Sequence, residues 1–80
     1  MIQYKNQPLI ELENVSAIGR HEVKESRKVL DKNLEVMIYC IGFLLFGQTM
    51  RWSFETEKER DFVWDNVMKE LPEVKKLDNF

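Results

Sequence analysis

From Met50 to Glu55 apolar and polar side chains alternate, with Met50, Trp52 and Phe54 set against Arg51, Ser53 and Glu55. This is the period of a strand with one buried face, and it predicts a strand over Thr49–Glu55. The period then changes. Val63, Trp64, Val67, Met68 and Leu71 fall on one stripe at about 100° per residue, which predicts a helix over Glu57–Leu71 lying on the sheet. Thr56 and Glu59 have the spacing of a capping box, and Pro72 supplies a stop. Glu59, Asp61, Asp65, Lys69 and Glu70 lie outside the stripe, and Phe62 projects almost opposite to it.

Upstream, the pattern is that of strands. Ile2–Lys5 and Leu9–Leu12 read as short strands around the turn residues Asn6, Gln7 and Pro8. A kink at Asn14 precedes Val15, Ala17 and Ile18. Arg20–Lys28 is strongly charged, with Val23 as its one apolar residue, and reads as an exposed strand arm or a loop. Asp31, Lys32 and Asn33 predict a three-residue hairpin turn with Asn33 at positive φ. Leu34–Ile41 and Phe43–Phe46 are rich in β-formers, Gly42 marks a bulge or bend, and Gly47-Gln48 is the expected turn into the next strand.

The run Val36–Phe46 is apolar at both parities, whereas a sheet with one wet face alternates. Both faces of this hairpin are therefore expected to be covered. The helix covers one; barrel closure or a second subunit covers the other, and a homodimer is the expected assembly. The expected fold is α+β: an antiparallel β-sheet or small half-barrel of about five or six strands, packed by one C-terminal helix. One domain is expected over 1–72, with 73–80 a tail that frays or adds a short turn. The expected core is Trp52, Phe54, Val63, Trp64, Val67 and Leu71.

The end of the chain resembles a known family. A last strand ending in Phe54, a polar cap at Thr56, and Glu59-Arg60-Asp61 followed by Trp64 on a helix look like the C-terminal end of pleckstrin-homology-like domains. Ile10–Ile18 is similar to the opening strands of small bacterial members. The resemblance implies a bent barrel plugged by the helix, with Trp64 pointing inward. Lipid-headgroup binding in that family needs a basic cluster in the first hairpin; this chain lacks one, so the resemblance implies no such activity.

Composition narrows the function. Eighty residues make one small domain, which buries only about 60% of its unfolded surface. One cysteine excludes an internal disulfide, and one cysteine with one histidine falls short of a four-ligand zinc site. No metal and no cofactor are expected. A net charge of -2 argues against nucleic acid. The longest apolar run, Val36–Phe46, is far short of the ~20 residues of a membrane helix, and Met1–Lys5 lacks a signal-peptide core, so a cytoplasmic protein is expected.

Each candidate for chemistry has a structural alternative. His21 beside Glu22 or Glu25 suggests acid–base work, but it sits in the most polar stretch of the chain. Cys40 lies among Tyr39, Ile41 and Phe43, where a buried, inert thiol is expected. Arg20, Lys24, Arg27, Lys28 and Lys32 are the candidates for binding a partner or an anion. In an extended segment Arg20, Glu22, Lys24, Ser26 and Lys28 share one side, while Glu25, Arg27 and Val29 share the other. The same charges would guard an edge strand. Trp52 shares the parity of Met50 and Phe54 and belongs to the core rather than to a stacking site. Phe62 is an interface candidate on the helix back, unless the tail covers it with Leu77 or Phe80.

With no Gly-rich phosphate loop, metal-ligand set or nucleophile–base pair, no catalytic residue is assigned. The expected function is a non-enzymatic interaction module that binds a protein partner and acts by occupancy. The alternative is a sequestering protein for a small anionic ligand such as a nucleotide signal, of the kind a phage or mobile element uses against host defence.

Overall fold

A computed structural model of the chain describes residues 4, 7–71 and 73–77. Pro72, Phe80 and most of the expected strand Ile2–Lys5 lie outside them. The fold is α+β. A short 3-10 turn, Leu12–Asn14, leads into β1 (Val15–Val29), β2 (Lys32–Leu45), β3 (Gln48–Phe54), α1 (Glu57–Glu70) and β4 (Lys75–Leu77). The four strands form one sheet in the order β3-β2-β1-β4. The β1–β2–β3 meander is antiparallel, and β4 runs parallel to β1.

Several expectations are corrected. Four strands form among the described residues, not five or six; the sheet is mixed, and it is not closed into a barrel. The stretch Leu9–Leu12 is not a regular strand: Ile10 makes an isolated bridge, and the 3-10 turn follows. The tail contributes β4, whose Lys75, Lys76 and Leu77 pair with Ala17, Ile18 and Gly19. Gly42 keeps a regular register between Gly19 and Arg51. The irregularity is at Ser16, between Val15 and Ala17, where the Ser16 hydroxyl donates to the Leu44 carbonyl at 3.1 Å.

Both hairpin turns fall one residue or more before their expected places. Val29 pairs with Lys32 across Leu30 and Asp31, and Leu45 pairs with Gln48 across Phe46 and Gly47. All four loop residues have positive φ: 49° and 64° in the first turn, 44° and 78° in the second. This is the signature of the type I′ turn, whose twist matches that of the strands. Leu30 and Phe46 adopt it without the glycine or asparagine that marks such turns.

One face of the sheet carries the core. Ile18, Ile41, Phe43, Leu45, Trp52 and Phe54 meet Val63, Trp64 and Val67 of α1, with Ile10 from the N-terminal segment. Leu71 and Met68 pack half-buried at the margin. The helix begins as expected: the Glu59 N–H donates to Thr56 Oγ1 at 3.1 Å. The indole of Trp52 meets Phe43 edge-on at 4.9 Å and donates to the Pro8 carbonyl at 2.7 Å. Its neighbour Ser53 is engaged by a side chain acting as a strand: the Gln7 amide donates to the Ser53 carbonyl and accepts from the Ser53 N–H. The N-terminal segment thereby closes the outer edge of β3 at that rung.

The strands differ in length, and this sets the shape. β3 reaches only as far as the Tyr39–Phe54 pair, while β1 and β2 stay paired out to Val29 and Lys32. A two-stranded arm of seven rungs, Val23–Val29 against Lys32–Ile38, projects from the body for about 23 Å at the usual strand rise. The molecule is accordingly long, 46 × 25 × 23 Å.

The first turn gives a direct test. Leu30 is 92% exposed, so its side chain contributes no packing, and its left-handed backbone is strained for a β-carbon. Replacing Leu30-Asp31 by Asn-Gly is expected to raise stability by roughly 1 kcal/mol, read as a higher denaturation midpoint. A lower midpoint would show that the turn is not type I′.

Candidate functional site

The body gives way to the arm at one rung, where Glu22, Tyr39 and Phe54 lie side by side across β1, β2 and β3. Arg60 sits there. It follows the spacing of the helix stripe, three and four residues before Val63 and Trp64, and is only 5% exposed. Its Nη1 donates to Glu22 Oε1 at 3.0 Å and reaches the His21 carbonyl at 3.4 Å, and its Nε donates to Asp61 Oδ1 at 3.0 Å. The guanidinium carbon lies 5.5 Å from the centre of the Tyr39 ring. Burial alone would lower the Arg60 pKa; the hydrogen bonds to Glu22 and Asp61 outweigh it and raise the pKa. Arg20 extends the network, donating to Asp61 at 3.3 Å with its guanidinium 4.7 Å from the centre of the Trp64 ring.

Beside this network is an open cleft of about 520 Å³, lined by Arg20, Glu22, Glu57, Arg60, Asp61, Trp64, Lys76 and Leu77. Three bases face three acids. The two arginines already hold carboxylates, and Trp64 is 8% exposed with Arg20 over its ring. The arrangement is a clamp joining α1 to β1. Its balanced charge and committed donors leave little pull for a further anion.

The expected binding residues do not converge. Arg20 belongs to the clamp. Lys24 and Lys28 share its side of β1, as the alternation requires, and are exposed along the arm. Arg27 is on the opposite side with Glu25, 3.8 Å from it, and lines a second cleft of about 350 Å³ with Val23, Ile38, Arg51 and Glu55 among its walls. Phe62 is 64% exposed on the helix back. Trp52, Phe54, Val63, Trp64 and Val67 are core.

His21 and Cys40 are cross-strand partners. Cys40 is fully buried, and its thiol faces the Ile38 carbonyl at 3.8 Å. Neither residue lines the two clefts described above. The pair has the residue types of a nucleophile and base but lacks a path to solvent for the thiol. His21 is held below its ordinary pKa of 6.5 by burial first, then by the Arg51 charge, with Glu22 opposing and Arg60 adding to the effect. Among the described residues no group of three or more His, Cys, Asp or Glu side chains is placed to hold a metal, and no helix is long and apolar enough to cross a membrane.

Sequence reasoning missed Arg60, although its stripe spacing was a usable signal. It also missed the apolar side chains that the arm exposes at Val29, Leu30, Leu34 and Met37. No family model, curated protein or solved structure matches the chain.

Two measurements test the clamp. Arg60→Lys keeps the charge but loses the fork that serves Glu22, Asp61 and the His21 carbonyl together. It is expected to cost about 1.5 kcal/mol in urea denaturation, the low end for charged hydrogen bonds because both carboxylates remain partly in water. An unchanged midpoint would remove the clamp. For His21, a depressed folded-state pKa means the unfolded chain binds the proton more readily. Its contribution is full above about pH 6.5 and is lost as pH falls from there through the lower folded value. The wild type should therefore lose more stability between pH 7 and 5.5 than His21→Asn; parallel slopes would contradict this.

Proposed function

We propose that the protein is a non-enzymatic binding module that engages a protein partner through its projecting arm and acts by occupancy. The observation that carries this reading is the arm itself. It extends beyond the cover of β3 and exposes Val29, Leu30, Leu34 and Met37 beside Lys24, Arg27 and Lys28. Apolar side chains framed by charge are the composition of a contact surface rather than of a guarded edge. Phe62 on the helix back is a second contact. The inward Trp64 and the Thr56 cap support a pleckstrin-homology-like ending, and the open four-stranded sheet limits that likeness to the end of the chain.

The alternative, sequestration of a small anionic ligand, draws on the cleft that joins Arg20, Arg60 and Lys76 to Trp64. The acids in the same cleft weigh against it.

A photo-crosslinking residue placed at Leu34 or Phe62 in producing cells tests the proposal. Adducts to another protein are expected at Leu34, lost when Leu30→Asp is added and absent from a control at Glu70. The same yield with and without Leu30→Asp would overturn the reading. A thermal shift with nucleotides that Lys76→Ala abolishes would favour the sequestering alternative, since Lys76 lines that cleft; at a ligand concentration 100 times Kd the stabilisation would be ~2.7 kcal/mol.

A further inference from the structure

The segment Val23-Lys24-Glu25-Ser26-Arg27-Lys28-Val29 reads almost the same in both directions about Ser26. Valine mirrors valine and lysine mirrors lysine. The one break is Glu25 against Arg27, and that break joins opposite charges. In the structure this segment is the arm portion of β1. It pairs with β2 on one side; on the other, β4 stops at Gly19, and no strand among the described residues pairs with Val23–Val29.

We propose that β1 pairs with β1 of a second copy, antiparallel and centred on Ser26, so that the two arms form one continuous sheet across a two-fold axis. A two-fold interface has to be self-complementary, and this edge meets that demand in one register. Ser26 faces Ser26 of the partner. Glu25 meets Arg27 and Arg27 meets Glu25, while Val23 meets Val29 and Val29 meets Val23, all four pairs on one side of the sheet. Lys24 meets Lys28 on the other side, with both ammonium groups free to spread into water. Shifting the centre to Glu25 or to Arg27 sets that residue against its own copy at the axis and loses both Glu25–Arg27 pairs, which in the Ser26 register offset the cost of the two exposed Lys24–Lys28 pairs.

The backbone agrees with this register. A two-residue turn makes Val29–Lys32 a hydrogen-bonded pair. Alternation along the ladder then turns the N–H and C=O groups of Lys28, Ser26 and Lys24 outward. These are the residues that the Ser26-centred register hydrogen-bonds, for roughly six bonds between the copies. The open edge of β2 is a poorer match, because centring it on the middle of Lys32–Ile38 places Glu35 against Glu35. Pairing through β1 leaves Leu34 and Met37 on the far strand, open to the protein partner, and does not depend on that partner.

Light scattering across a concentration series tests the proposal. The wild type is expected to approach twice the chain mass as concentration rises, and the amides of Lys24, Ser26 and Lys28 to gain protection from hydrogen exchange in parallel. Arg27→Glu is expected to hold the protein at the single-chain mass with an unchanged circular dichroism spectrum. The double exchange Glu25→Arg with Arg27→Glu regenerates the cross-pairs and should restore the dimer. A wild type that stays at single-chain mass would overturn the proposal, with the edge lysines acting as guards. So would a dimer that survives Arg27→Glu, or a double exchange that fails to recover it.

Discussion

The structure turns on the rung where β3 ends. On the body side of Tyr39, a helix packs one face of three strands and the apolar core is continuous. On the arm side two strands remain and the helix is gone. A two-stranded ribbon is marginal by itself in water, so the junction has to be held. Arg60 holds it: one guanidinium stacks over Tyr39 of β2, bonds Glu22 of β1 and bonds its own helix neighbour Asp61. Three elements meet at one planar group. Arginine suits the place because its fork serves several acceptors in fixed directions, and burial is tolerable because each direction it uses meets a partner.

The same junction separates two kinds of charge. The clamp and its cleft have equal numbers of acids and bases, and Arg20 and Arg60 are both engaged by the clamp's own carboxylates. The arm keeps its charges in water and mixes them with exposed valine, leucine and methionine. Charge that is neutralised by neighbours stabilises geometry; charge left beside exposed apolar surface is available for recognition. The cleft therefore reads as architecture and the arm as the working surface, although the cleft has the larger volume.

What the sequence made legible follows from the physics of each element. β3 and α1 were readable because alternation, stripe and cap agree over Met50–Leu71, and the core residues followed. The turns were misplaced because Leu30 and Phe46 hold left-handed backbones that their side chains do not advertise; the strands, not the turn residues, impose the geometry there. β4 is three residues long and carries two lysines, too short for any period to show. The strand expected at Leu9–Leu12 is replaced by a segment that closes the β3 edge through the amide of Gln7, a backbone role taken by a side chain. Arg60 was passed over because a charge on an apolar stripe looks like its margin until its partners are known.

The apolar run of β2 posed a sharper question, since both of its faces were expected to need cover. The helix side is large: Ile41, Phe43 and Leu45 are buried under α1 and beside Trp52. The other side carries Cys40 and Gly42 at the centre, next to Ala17 and Gly19 of β1, and all four are buried. Hydrophobic demand scales with apolar area, and glycine, alanine and cysteine carry little of it. The centre of that face therefore asks for much less cover than a count of apolar letters implies. Demand rises where the side chains grow again, at Val36 and Ile38, which are half-buried at the base of the arm. The apolar surface still in need of a partner has thus moved from the middle of the sheet to the arm, the part of the molecule that also exposes unpaired strand edges.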